Sequence, residues 1–173
     1  MDFETLSLEK RYSCRNFQSR PVEKEHIDKI LKAGHIAPTA VNRSPQRILV
    51  VQSREGMEKL ARCTRYTFNA PAAMIVCYNR DEAWVRNIDG KMGGDIDASI
   101  VATHMMLQAA ELGVGSVWIG YFDPAILREE FHLPDSIEPV AILDLGYPAE
   151  NDTPSPAHWQ RRPMEETIVY ESF

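Results

Sequence analysis

Gly113-Val114-Gly115-Ser116-Val117-Trp118-Ile119-Gly120 is the stretch on which the architecture turns. Its spaced glycines hint at the loop that holds a dinucleotide pyrophosphate. That loop must leave a strand and open a helix, and it needs a third glycine. Here the order is reversed. A helical pattern opening at Asp95 and ending near Leu112 runs into Gly113, a helix stop, and a strand pattern over Ser116 to Gly120 follows. The helix is apolar nearly all round, through Ile96, Ile100, Val101, Met105, Met106, Leu107 and Ala110. Only a narrow polar stripe remains, at Asp97, His104, Gln108 and Glu111. A helix of this kind belongs at the centre of a molecule or in a subunit interface.

Upstream, Ala72 to Tyr78 is apolar throughout and reads as a strand buried on both faces. Residues 80–94 are charged and surround Trp84, a surface excursion. Ser53 caps a helix over 54–63, and Ile48 to Val51 is a short strand. Ile27, Ile30, Leu31 and Gly34 keep helical spacing over 22–36, with Glu23 and Glu25 at the positive end and Pro38 beyond the stop. Residues 2–10 read as a short helix with Leu6 on one side. Downstream, Asp123-Pro124 opens a helix to about Phe131. Val140 to Leu145 is a strand closed by Gly146-Tyr147-Pro148, and residues 149–160 form a loop. The tail from Pro163 ends in the β-prone run Ile168-Val169-Tyr170. Alternating helices and strands without repeat or linker predict one α/β or α+β domain over residues 1–173.

The composition narrows the function. The chain has 173 residues, 44% of them hydrophobic, and a formal net charge of −6. An acidic chain lacks the basic face that nonspecific nucleic-acid binding needs. No apolar run nears ~20 residues, so no membrane span is expected. Met1 to Leu6 has no basic-then-apolar signal pattern. Cys14, Cys63 and Cys77 are odd in number and scattered, which fits reduced thiols in the cytoplasm. His26, His35, His104, His132 and His158 show no zinc-ligand spacing, so no metal site is expected. Glu129-Glu130 and Glu165-Glu166 read as solvated surface.

Arg11-Tyr12-Ser13-Cys14-Arg15-Asn16-Phe17 stands out chemically. Two guanidinium groups and a hydroxyl crowd into five residues. Arginine presents fixed planar donors suited to phosphate. The group either holds an anion or is ordinary solvated surface. Cys14 beside basic residues also raises a thiol-nucleophile reading.

Five segments in order are similar to the FMN-dependent nitroreductase family. They are Arg11 to Phe17, Ala37-Pro38-Thr39-Ala40-Val41-Asn42, Gly113 to Gly120, Leu145-Gly146-Tyr147-Pro148, and Arg161-Arg162-Pro163-Met164-Glu165-Glu166. The resemblance implies an α+β fold, with a central mixed β-sheet flanked by helices, and a homodimer with noncovalent FMN at its interface. It places Arg11 and Ser13, with Tyr12 between them, at the phosphate and ribityl, and Arg15 near the flavin N1/O2 edge. Pro38, Thr39 and Asn42 belong to a loop that reaches the partner's FMN. Trp118, Ile119 and Gly120 match the segment beside flavin N5. Arg161 or Arg162 matches a second phosphate clamp, with the choice open. The loop departs from the family pattern at Ser44 and Gln46. The short segment 80–94 leaves Trp84, Arg86 and Lys91 either lining a reduced cover or solvated.

The expected activity is hydride transfer from NADH or NADPH, collectively NAD(P)H, through flavin to a small-molecule acceptor by a ping-pong mechanism. Nitroaromatics and quinones are the acceptors the resemblance implies. Alternatives are an FMN storage or sensor protein, a different flavin reaction such as reductive dehalogenation or flavin breakdown, and a thiol enzyme using Cys14.

Overall fold

The computed structural model describes residues 7–173. Ala72–Asn79 explains the architecture from the inside. Every residue of this strand but the last is buried, so it cannot lie at an edge. It is the second strand, β2. It pairs antiparallel with β1 (Gln46–Val51) on one side and with β4 (Ile137–Gly146) on the other. β3 (Gly115–Ile119) completes the order β1-β2-β4-β3. All strand pairs are antiparallel. The mixed character expected of the sheet is confined to one isolated parallel bridge, Ser13 to Ser116. Pro139, which has no amide hydrogen to give a ladder, sits where the β2–β4 register slips between Val76 and Cys77.

Alternation along β2 sends Met74, Val76 and Tyr78 to one face and Ala73, Ile75 and Cys77 to the other. The first face packs under α2 (Lys24–His35) and α4 (Gly94–Glu111). The second packs over α3 (Arg54–Cys63) and α5 (Pro124–Phe131). Each fully buried side chain of the size of Met74 or Ile75 contributes about 1.5–3 kcal/mol.

The helix ends follow the sequence. Ser53 accepts from the Gly56 amide at 3.0 Å, and Asp123 Oδ1 accepts from Ala125 at 2.8 Å and Ile126 at 3.1 Å. Gly113 stops α4 at φ +70°, a left-handed conformation that a side chain would resist. Of the helix expected over 2–10, α1 (Ser7–Lys10) is described and Leu6 lies outside the described residues.

Two expectations are corrected. The run Ile168 to Tyr170 forms no strand. It follows the short α6 (Met164–Thr167) as exposed tail, paired with no strand among the described residues. Asp97, placed by the sequence on the polar stripe of α4, does not face solvent. It is 2% exposed, turned inward, and its Oδ1 accepts the Ala40 amide at 2.8 Å. Residues 80–94 close on themselves through the Val85–Met92 bridge and the Arg86–Asp89 ion pair at 2.5 Å. No helix among the described residues is long and apolar enough to cross a membrane.

Candidate functional site

Residues 11–15 run extended along the free edge of β3. The Cys14 amide donates to the Ser116 carbonyl at 3.0 Å beside the Ser13–Ser116 bridge. Further on, Phe17 bridges Pro148 and the Gln18 amide donates to Tyr147 O at 2.8 Å. The two-residue period of an extended chain sorts the side chains. Tyr12 and Cys14 pack into the α3/α5 core, and Arg11, Ser13 and Arg15 take the alternate positions. The approach is close. A Cβ on Gly115 would stand 2.9 Å from both Cβ and Sγ of Cys14, so only glycine admits the segment.

Recesses lie at both ends of this rail. At the Arg11 end, a cavity of about 110 Å³ is lined by Lys10, Arg11, Tyr12 and the Gly113-to-Ser116 turn, with Ala110 and Pro148. At the Arg15 end, a groove of about 210 Å³ is lined by Arg15, Tyr66, Phe68, Tyr121 and the run from Val117 to Gly120. Four extended residues separate Arg11 from Arg15 by about 13 Å.

Several arginines of the chain are held by carboxylates. Arg47 pairs with Glu82 at 2.7 Å, Arg62 with Glu130 at 2.5 Å and Arg128 with Glu138 at 2.7 Å. Among the described residues no carboxylate is within ion-pair distance of Arg11 or Arg15. Arg15 donates only to the nearby Ser13 carbonyl, at 3.2 Å. Arg43, Arg65, Arg80 and Arg161 are likewise without an ion pair among the described residues, and of these four none lines either recess. In an acidic chain, cations left without acids beside a recess suit an anionic ligand.

The thiol reading fails here. Cys14 is 0% exposed, and its pKa is pushed up to about 12, chiefly by burial. Asn16 and Arg15 pull in the other direction and lose. A buried neutral thiol is a poor nucleophile. The Tyr12 hydroxyl is also held neutral, first by burial and then by the nearby Asp152 carboxylate.

The structure gathers Arg11, Tyr12, Ser13, Arg15, Trp118, Ile119 and Gly120 along one edge. It does not bring the other candidates to that edge within the chain. Pro38, Thr39 and Asn42 line neither recess. Their loop is tied to the start of α4 through Ala40 and Asp97, and Thr39 Oγ1 accepts the Ser44 amide at 2.9 Å. Val41 (φ 46°) and Asn42 (φ 55°) are left-handed and exposed. Arg161 and Arg162 stand on the exposed tail. Arg161 donates to the Ala157 and Gln160 carbonyls, and Arg162 lies 3.9 Å from Glu166.

Sequence reasoning missed Tyr66, Phe68 and Tyr121. The aromatic spacing in Tyr66-Thr67-Phe68 was a visible signal. The left-handed backbone at Phe68 (φ 48°) and Asn69 (φ 55°) that turns the segment to the groove was not. Thr64 Oγ1 donates to the Tyr121 carbonyl at 2.6 Å and joins the two walls.

An α+β protein with unpaired cations on a sheet edge, leading into an aromatic groove, is equipped to hold an anionic molecule with a flat ring. Comparison makes the class specific. The Nitroreductase family sequence model matches residues 8–74 and 62–147, and the chain belongs to that family. A nitroreductase family protein from Clostridium difficile 630 superposes with a TM-score of 0.93, at 48% identity over all of both chains. A protein of Methanothermobacter thermautotrophicus, named for NADH dehydrogenase/NAD(P)H nitroreductase activity, is 34% identical over 84% of this chain and 77% of its own. A nitroreductase-like protein from Desulfovibrio desulfuricans, solved in complex with FMN, has a TM-score of 0.80 at 28% identity, covering 96% of this chain and 95% of its own.

Proposed function

We propose that the chain is an FMN-dependent NAD(P)H oxidoreductase, active as a homodimer, that reduces a nitroaromatic or quinone acceptor. One observation carries this reading: one extended segment, bridged to β3 at Ser13, sets Arg11 in the wall of a small basic cavity and Arg15 in the wall of an aromatic groove.

That donor set fits FMN. Arg11 and Ser13 offer a guanidinium and a hydroxyl for a phosphate and its sugar-alcohol chain. The groove walls Tyr66, Phe68, Trp118 and Tyr121 offer flat apolar surface for a ring. Bound FMN would supply the redox chemistry, two-electron exchange with NAD(P)H and with the acceptor in alternate half-reactions. Arg15 places a fixed positive charge at the ring end, which favours electron uptake there. Ile119 and Gly120 contribute main-chain groups at the groove floor. The buried faces of Val117 and Ile119 keep water from beneath it.

The dimer is supported by surface that one chain leaves uncovered. Leu8 at 56% exposed and Ile36 at 68% border the later turns of α4, and Ile96 is 53% exposed at its start. The loop holding Thr39 and Asn42 projects from the same end of α4, where it can serve a partner's site.

Arg11→Ala tests the assignment. Removing one charge-assisted phosphate contact costs about 1.5–3 kcal/mol, so FMN affinity should fall about 10- to 150-fold with the fold intact by circular dichroism. Unchanged affinity overturns the phosphate role. An anaerobic absorption spectrum of the FMN-loaded protein, taken through NADH and then NADPH addition, tests the activity. Bleached flavin bands support the oxidoreductase, and bands that persist refute it in favour of a binding protein.

A further inference from the structure

Arg65 stands just outside the groove, at the back of two of its walls. Its Nη2 donates to the Tyr66 hydroxyl at 2.7 Å. Its guanidinium carbon lies 4.9 Å from the Tyr66 ring centre and 5.5 Å from that of Tyr121. The two rings meet edge to face at 5.7 Å, and both line the groove. Stacking on rings occupies the face of a guanidinium and leaves its in-plane N–H donors free. One of those donors is spent on Tyr66. No carboxylate of the described residues is within ion-pair distance. The nearby Asp123 uses Oδ1 to cap α5. An ordinary solvated arginine has no such fixed support. This one is a preorganised cation in a recess that adjoins the aromatic groove and shares its Tyr121 wall.

We propose that Arg65 is a specificity determinant, the recognition point for an anionic group, phosphate or carboxylate, on the aromatic reactant that enters the Tyr66–Tyr121 groove. This rests on the oxidoreductase reading. It goes further by giving the reactant a charge and the site a second cation, separate from the Arg11 and Arg15 rail.

The test uses the FMN-loaded protein with calorimetric titration of unreactive probes. Benzoate is compared with neutral benzamide, and NADP⁺ with NAD⁺, in wild type, Arg65→Ala and Arg65→Lys. Flavin content is read separately from absorbance, so loss of the cofactor is distinguished from loss of the anion contact. Wild type should prefer the more anionic member of at least one pair, and added salt should erode that preference. Arg65→Ala should weaken that probe about tenfold, leave its less charged counterpart unchanged and retain flavin. Arg65→Lys should recover part of the loss, since a lysine keeps the charge without the planar fork. Loss confined to benzoate assigns the anion to the acceptor, and loss confined to NADP⁺ assigns it to the donor's additional phosphate. Equal binding of both members of both pairs by wild type overturns the proposal, as does an Arg65→Ala protein that binds all probes as wild type does. Equal weakening of charged and neutral probes also overturns it, because that is the signature of a structural wall.

Discussion

At Cys14 a neighbouring guanidinium and burial act in opposite directions on one thiol, and burial prevails. The thiol stays protonated at neutral pH. Thiol-directed reagents should therefore leave Cys14 unmodified in the folded protein at pH 7 and label it after unfolding, as read by mass spectrometry. Rapid labelling of the native protein would contradict the burial. The same segment shows what is legible at this scale. Residue type announces Arg11 and Arg15 as anion donors. Their lack of acidic partners is not written in the sequence, because Glu82, Glu130 and Glu138 lie far along the chain from the arginines they engage, or on another element. Trp118 could be picked out by a motif. Tyr66 and Tyr121 acquire meaning only when a loop after α3 and a loop after β3 are brought together.

Among the elements, β4 carries the least expected side chain. Asp144 is 0% exposed, set in register between Ala73 of β2 and Val117 of β3, and neither oxygen has a partner. Burial alone pushes its carboxyl from 3.8 up to about 8. Between those values the folded protein keeps a proton that the unfolded chain has released. Stability therefore falls as pH rises through that window, by up to about 1.4 kcal/mol per pH unit, and the whole contribution is gone above it. Urea unfolding at pH 5 and pH 8 should show this decline in wild type and a flatter profile in Asp144→Asn. Identical profiles would exclude Asp144 as the source. Element boundaries follow similar physics. β2 is apolar along its length and its start is clear from sequence. β1 begins at Gln46 and β4 at Ile137, earlier than their apolar runs suggest, since half-exposed strand ends carry polar residues and Pro139 hides a bulge.

For the whole molecule, the outer side of α4 sets the expectation. Its apolar character on nearly all sides was visible in sequence. Val101 and Met105 are 0% exposed against the core, whereas Ile96 stays open. In the proposed homodimer a second copy covers the remainder. Light scattering should give twice the chain mass, and Ile96→Glu should shift the protein toward monomer with weaker FMN retention. A wild-type monomer that binds FMN tightly would remove the dimer from the proposal. Alternating patterns in the chain announced one α/β or α+β domain around a sheet, and the resemblance supplied the helices flanking it. The course of the tail was not legible in this way, because β-propensity at Ile168 to Tyr170 makes no strand without pairing, and among the described residues the run is paired with none.

The rail along β3 has a consequence that no single side chain reveals. Its chemistry is encoded by odd and even. Arg11, Ser13 and Arg15 take the alternate positions because they are two apart, and Tyr12 and Cys14 fill the core because they fall between. The backbone bond from Cys14 to Ser116 holds the phase whatever side chain stands at the exposed position Arg15. Adding or deleting one residue would do the opposite. It would leave the composition of the segment almost untouched, turn guanidinium groups toward the core and hand the groove a thiol and a phenol. The site tolerates spelling changes far better than a shift of frame.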